Sequence, residues 1–158
     1  MSNARPLPML LAVLAATVVA ATALAETPQP VAPSPPPAPI VRRGAALPTY
    51  PIAKGLGSAT IFYDAASGSP DAALTLLVLR PGAAVPAHVH ADSVEMLYVL
   101  EGRAEMRVGA ETIAIGPGDA ARIPKGVEHE ATVVGDVPLR AVQIYTPAGP
   151  EQRFVPKP

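Results

Sequence analysis

The chain has 158 residues, 12 basic and 13 acidic side chains and a formal net charge of −1. This balance gives no electrostatic basis for binding nucleic acid or an anionic membrane, so neither is predicted as a partner. No cysteine is present. Disulfides are therefore excluded, and the fold must depend on packing, a bound metal or self-association.

The amino-terminal residues predict export. Residues 1–8 carry Arg5 and no acid, and residues 9–25 form an uncharged run that ends in Ala-Leu-Ala. These are the parts of a secretory signal peptide, so cleavage is predicted after Ala25 and a periplasmic or extracellular location is expected. An uncleaved membrane anchor is the alternative, although the run is short for a bilayer span of roughly 20 residues.

Residues 26–56 form a proline-rich segment. Because prolines interrupt helices and sheet ladders and favour extended geometry, this segment is predicted to be a disordered linker. A stiff spacer that holds the domain away from a surface is the alternative. One folded domain is predicted over residues 57–154, followed by a short tail at residues 155–158.

The folded domain is predicted to be all-β, without a convincing amphipathic helix. Short runs of β-branched and apolar residues alternate with turn signals that contain glycine or proline. The runs are residues 58–64, 72–79, 93–100, 103–108, 111–115, 119–123, 128–134 and 139–146. Such regular short strands are typical of a sandwich or barrel, and a closed barrel provides an interior that can hold one ligand.

All three histidines of the chain fall in two glycine-bounded segments. His88 and His90 are two residues apart, and in a strand they would point to one face. Glu95 lies on an otherwise apolar inward face, where an unpaired carboxylate is costly to bury. With His129 these side chains make a mixed nitrogen and oxygen set suited to Fe, Mn, Ni, Cu or Zn. The competing interpretation is an ordinary strand that carries imidazoles by coincidence.

The spacing of these residues resembles the two motifs of the cupin superfamily. Residues 82–102 read G-x5-H-x-H-x4-E-x6-G, and residues 118–129 read G-x5-P-x-G-x2-H. The chain is thus similar to small single-domain, RmlC-like bacterial cupins over about residues 57–154. The resemblance implies a jelly-roll (double-stranded β-helix) barrel with one divalent transition metal, whose ligands are His88, His90, Glu95 and His129. Val133 stands where the second motif usually has asparagine, which removes one polar contact near the site.

Families of this kind include dioxygenases, isomerases, decarboxylases and lyases that act on small molecules. Since the histidines are assigned to the metal, no dedicated general base remains, which favours metal-dependent, dioxygenase-like chemistry. The alternative is a non-catalytic module that binds a small molecule or a metal. No catalytic residue can be named, and a homodimer is a candidate assembly. The polar side chains expected to contact a ligand are Tyr63, Tyr98, Arg122 and Gln143.

Overall fold

Ten antiparallel strands form two sheets in the part of the chain that the computed structural model describes, residues 40–157. The strands are β1 (Thr49–Ile52), β2 (Gly57–Tyr63), β3 (Ala73–Leu79), β4 (Ala84–His88), β5 (Val94–Glu101), β6 (Arg103–Val108), β7 (Glu111–Ile115), β8 (Ala120–Ile123), β9 (His129–Val134) and β10 (Leu139–Thr146). Short 3-10 helices lie at Gly44–Ala46, Ala53–Gly55, Ala65–Ser67 and Pro150–Phe154. The predicted signal peptide and the first part of the predicted linker lie outside the described residues.

The two sheets enclose one core. The larger has the strand order β1-β2-β3-β10-β5-β8, and the smaller has the order β4-β9-β6-β7. Buried side chains from both sheets pack in a single cluster, for example Leu79 and Val99 from the larger sheet with Met106 and Val133 from the smaller. Burying each such side chain contributes roughly 1.5–3 kcal/mol. The predicted all-β jelly-roll architecture is confirmed.

Alternation along the strands explains why one face of each sheet is buried. In β3 every second residue is buried, beginning with Ala73, and the same period runs along β10 from Leu139. Because successive side chains in a strand point to opposite faces, this pattern directs half of each strand into the barrel. The same alternation places polar side chains such as Gln143 inside, where they need partners.

The structure corrects the predicted boundary between linker and domain. Residues 49–56 were expected in the disordered segment, but Thr49–Ile52 forms β1 and pairs antiparallel with β2. Pro51 lacks an N–H group, which a strand tolerates when it lies at the edge of a sheet, as β1 does. Among residues 40–157, none of the helices has the length and apolar character needed to span a membrane.

Candidate metal centre

Three strands and one turn bring the predicted ligands together. His88 is the last residue of β4 and His129 the first of β9, and the two are direct partners in the sheet. Glu95 lies near the start of β5. His90 follows β4, where its carbonyl oxygen accepts a hydrogen bond of 2.8 Å from the backbone N–H of Gly126. The second glycine-rich turn therefore fixes the backbone of a histidine from the first segment.

The expectation that His88 and His90 share a strand face needs correction. β4 ends at His88, so His90 lies in the turn that leads to β5. The two rings nevertheless lie close, with centroids 4.9 Å apart, and the His129 ring is 4.2 Å from that of His88. The turn, and not strand alternation, directs His90 toward the other imidazoles.

The potential ligand atoms converge. One donor atom from each of His88, His90, Glu95 and His129 lies within 4.8 Å of all the others. Oε2 of Glu95 lies 2.9 Å from Nε2 of His90 and 3.1 Å from Nε2 of His129. Two ligands on opposite sides of one ion lie about 4.0–4.4 Å apart, because each metal–ligand bond is roughly 2.0–2.2 Å long. The 4.8 Å limit exceeds that span by only a few tenths of an ångström. The cluster thus has the dimensions of a site for a single ion.

Backbone hydrogen bonds orient two of the imidazoles. Nδ1 of His88 donates to the carbonyl of Pro86 at 2.8 Å, and Nδ1 of His129 donates to that of Val127 at 3.0 Å. Because a carbonyl oxygen can only accept, the hydrogen is on Nδ1, and Nε2 of a neutral ring carries a lone pair. Such outer hydrogen bonds commonly fix the tautomer of histidines that bind metals.

The ionisation of the cluster also suits a cation. Burial raises the pKa of Glu95, but hydrogen bonds with His129, His90 and Gln143 outweigh burial and hold the pKa well below its usual range. Burial lowers the pKa of His88 to about 4, so this imidazole is neutral at neutral pH. An ionised carboxylate and a neutral imidazole are the forms that bind metals. At His129, burial lowers the pKa but hydrogen bonds with Glu95 and Val127 outweigh it and raise the pKa, so a metal would displace a proton from this imidazole.

One buried atom tests whether a metal fits. Nε2 of His88 is buried and has no hydrogen-bond partner in the described part of the chain. An unpaired buried acceptor is unfavourable, and a cation bound by its lone pair would remove that penalty. Three imidazoles and one carboxylate favour a divalent transition metal over Ca²⁺ or Mg²⁺, which prefer oxygen ligands. The residues therefore fit the metal that was predicted from the sequence.

The cluster lies in a cavity of about 440 Å³. Its wall is mostly apolar and includes Leu77, Leu97 and Met106 from both sheets, together with Ile52 of β1. A cavity of this volume and character is typical of small-molecule sites. β1, which was expected to be disordered, thus contributes to the wall.

Of the four polar side chains predicted to contact a ligand, the structure places only Gln143 in the cavity wall. Tyr98 is three residues from Glu95 on β5, so alternation points it to the outer face, where it is 48% exposed. Arg122 precedes the buried Ile123 and therefore also faces outward. Tyr63 donates its hydroxyl hydrogen to the carbonyl of Ile40 at 2.6 Å, away from the cavity.

Two residues that the sequence did not indicate adjoin the ligands. Tyr145 of β10 is fully buried, and its ring lies edge-on to that of His90 at 5.0 Å between centroids. Arg153, on the carboxy-terminal 3-10 helix, lines the cavity and places Nη1 3.2 Å from Nε2 of His90. Arg153 belongs to neither of the two sequence motifs, so motif spacing could not identify it.

Comparisons with known proteins agree with this geometry. Residues 75–145 match the cupin domain family. Among curated relatives, the polyketide synthase CurC of Streptomyces cyaneus is 30% identical over 92 residues, which are 58% of this chain and 60% of that protein. Quercetin 2,3-dioxygenase of Bacillus subtilis is 39% identical over 56 residues, which are 35% of this chain and 17% of that enzyme. The chain thus spans less than two thirds of the length of either relative.

A solved structure extends the likeness to the whole barrel. An RmlC-like cupin from Shewanella frigidimarina superposes with a TM-score of 0.60 at 18% identity, covering 72% of this chain and 96% of that one. At this identity the likeness concerns the fold alone. The motif spacing and the family match agree that residues 75–145 form a cupin domain, and the solved structure shares the fold of the barrel.

Proposed function

We propose that this protein is a metal-dependent enzyme that acts on a small molecule, with dioxygenase-like chemistry. The observation that carries the proposal is the buried, unpartnered Nε2 of His88, which lies among three further donor atoms at the wall of a cavity of about 440 Å³. A site that served only to stabilise the fold would need no adjoining space for a ligand. Here the ligand set and the space for a substrate coincide.

The roles of the metal and of the surrounding residues are distinct. A divalent transition metal held by His88, His90, Glu95 and His129 would supply Lewis acidity and, for iron, manganese, nickel or copper, redox chemistry. Gln143 orients Glu95 by donating from Nε2 to Oε1 at 2.7 Å. The apolar side chains of the wall exclude water and accommodate the body of a substrate.

The other acidic side chain of the cavity wall, Glu130, bears on the class of reaction. Glu130 also lines the cavity, but its carboxylate accepts a hydrogen bond of 2.9 Å from Arg107. No free general base is therefore found among the described residues of the wall, which favours chemistry at the metal over proton abstraction by a side chain. The similarity to quercetin 2,3-dioxygenase supports oxygen chemistry as a class.

A non-catalytic binding module is the second candidate. It is favoured by the same lack of a free acid or base in the described wall and by the predominance of apolar side chains there. Such a module would hold a small molecule or a metal without turning it over. The two candidates differ in whether the bound metal keeps a position that external ligands can reach.

Iron reconstitution distinguishes these candidates. The protein would be loaded with Fe²⁺ without oxygen and then exposed to nitric oxide, which reports accessible positions on iron through its electron paramagnetic resonance spectrum. We expect about one iron per chain and a strong nitrosyl signal in the native protein. Arg122→Gln, on the outer face, should behave in the same way, and His129→Ala should lose both. Bound iron that gives no nitrosyl signal would favour the binding module and contradict the enzyme.

We also propose that the protein acts outside the cytoplasm. The charged start, apolar run and Ala-Leu-Ala exit of residues 1–25 support this location.

A further inference from the structure

We propose that Arg153 makes this cavity selective for small carboxylates with an apolar body. This inference rests on the proposed function, because it names the class of substrate for the same site. Arg153 lies outside both sequence motifs, on the 3-10 helix that follows β10. Arg153 nevertheless lines the cavity that His88, Glu95 and His129 share.

Several contacts fix the guanidinium of Arg153. Nη2 donates to the hydroxyl of Tyr145 at 2.9 Å, and Nη1 lies 3.2 Å from Nε2 of His90. The charged group also lies over the ring of Phe154, 4.9 Å from its centroid. A planar cation that stacks on an aromatic ring and donates to a buried hydroxyl is pre-organised, so less entropy is lost when it binds a ligand.

The helix that carries Arg153 is itself anchored. Glu151 is fully buried, and its carboxylate accepts a hydrogen bond of 2.7 Å from the N–H of Gly149. Gln152 donates from its side chain to the carboxylate of Asp64 at 3.0 Å. The first bond stabilises the start of the helix, and the second connects the helix to Asp64 at the end of β2. Together they hold Arg153 near the cavity.

Nη1 of Arg153 has no acceptor of its own among the described residues. Nε2 of His90 either donates to Oε2 of Glu95, 2.9 Å away, or would bind a metal, and in neither state does it keep a lone pair for Nη1. Within residues 40–157, Arg153 forms no ion pair with a carboxylate; the ion pairs there involve other arginines or the histidines. Nη1 is therefore available to donate to a ligand in the cavity that Arg153 lines.

The charge of the loaded cavity favours an anion. A divalent ion more than offsets Glu95, and Arg153 adds a further positive charge. The other acid of the wall, Glu130, is already paired with Arg107. A cavity with excess positive charge and low-dielectric walls attracts anions.

The planar guanidinium of Arg153 and the apolar side chains of the wall together determine which kind of anion fits the cavity. A guanidinium matches the planar carboxylate, to which it donates in a bidentate manner. The wall beside it is apolar, with Leu77, Leu97 and Ile115. A carboxylate on a hydrocarbon or aromatic body fits both features.

The experiment uses the full chain loaded with Co²⁺ and two matched probes, benzoate and its neutral amide benzamide, in isothermal titrations. We expect the native protein to bind benzoate at least about tenfold more tightly than benzamide, because a hydrogen bond to a charged group is stronger than a neutral one. Arg153→Gln should lose most of that preference, and Arg153→Lys should keep part of it. Arg122→Gln removes a positive charge from the outer face and should change nothing.

Cobalt content, measured in each variant, separates the outcomes. Normal cobalt together with an unchanged benzoate preference in Arg153→Gln would overturn the inference and leave the proposed function intact. If the cobalt-loaded native protein binds benzoate and benzamide equally tightly, the inference is also overturned and the proposed function again remains intact. Loss of cobalt in Arg153→Gln would show that the arginine supports the ligand set instead of binding an anion. A native protein that takes up no cobalt would overturn both proposals.

Discussion

Gln143 donates a hydrogen bond of 2.7 Å from Nε2 to Oε1 of Glu95, and both side chains are buried. This bond occupies one carboxylate oxygen and leaves the other, Oε2, beside His90 and His129. β10, which carries Gln143, lies next to β5, which carries Glu95. The larger sheet thus supplies one candidate ligand and the group that orients it.

The first prediction concerns this orienting bond. Replacing Gln143 by leucine keeps the size of the side chain and removes the donor. We expect metal affinity to fall by about tenfold or more, in line with other outer partners of metal ligands. Competition with a fluorescent chelator would measure the change.

Thr75 provides a matched control for Gln143→Leu. It pairs directly with Gln143 across β3 and β10, is fully buried, and its hydroxyl has no partner among the described residues. Thr75→Val removes that hydroxyl without breaking a described bond, so metal affinity should be unchanged. Equal losses in the two variants would show that general disturbance of the barrel, and not the bond to Glu95, sets the affinity.

The second prediction concerns the glycine that ends the first motif. Gly102 has φ +75°, and a Cβ there would lie 2.4 Å from the carbonyl oxygen of Pro138 and 2.7 Å from Cα of Leu139. Both contacts are with backbone, which cannot move aside as a side chain can. Gly102→Ala should therefore lower the free energy of unfolding by about 3 kcal/mol or more. Urea denaturation followed by circular dichroism measures this.

Gly118, which begins the second motif, is the comparison. It has φ +90°, but a Cβ there meets nothing within 4 Å. Gly118→Ala should lower the free energy of unfolding by only about 1–2 kcal/mol, which is the cost of placing an alanine in the left-handed region. If the two alanine variants were equally stable, the close approach at Pro138 would have no energetic consequence.

The third prediction concerns removal of the metal. A ligand that binds only the folded state at one hundred times its Kd adds about 2.7 kcal/mol of stability. For a domain of this size, we expect a chelator to lower Tm by about 10 °C, while His129→Ala should not respond to the chelator. Thermal unfolding of the native protein and of His129→Ala, each with and without chelator, would measure the change in Tm. An unchanged Tm in the native protein would contradict a metal bound at the buried cluster.

The fourth prediction concerns the amino terminus. Export with cleavage after Ala25 predicts that the secreted protein begins at Glu26. Intact-mass spectrometry of cell fractions from the native host measures this directly. Full-length protein confined to the cytoplasm would contradict export, and full-length protein in the membrane fraction would favour the uncleaved anchor.

The fold was largely predictable because most strands lie inside the sheets. Their alternating burial appears in the sequence as short apolar runs separated by turns, as in β3 and β10. The two strands that were not predicted as runs, β1 and β4, are both at sheet edges and contain Pro51 and Pro86. The other two edge strands, β7 and β8, contain no proline and were predicted. The proline that an edge strand tolerates therefore hides β1 and β4 from the strand pattern.

The candidate site was predictable only in part. The four candidate ligands follow from motif spacing, because local turns and neighbouring strands set their positions. Arg153 does not, since it reaches His90 across 63 residues of sequence from a 3-10 helix without periodicity. The structure places Tyr98 and Arg122 outside the cavity that holds the histidine cluster. Their place in the alternation is visible only once the register of β5 and β8 is known.

The most direct test of the central claim is the metal content of the protein. Untagged protein from its native host would be analysed by inductively coupled plasma mass spectrometry beside His129→Ala. We expect about one iron, manganese, nickel, copper or zinc per chain in the native protein and its loss in the variant. No stoichiometric metal in either form would contradict the metal centre and would leave the barrel as a binding module without one.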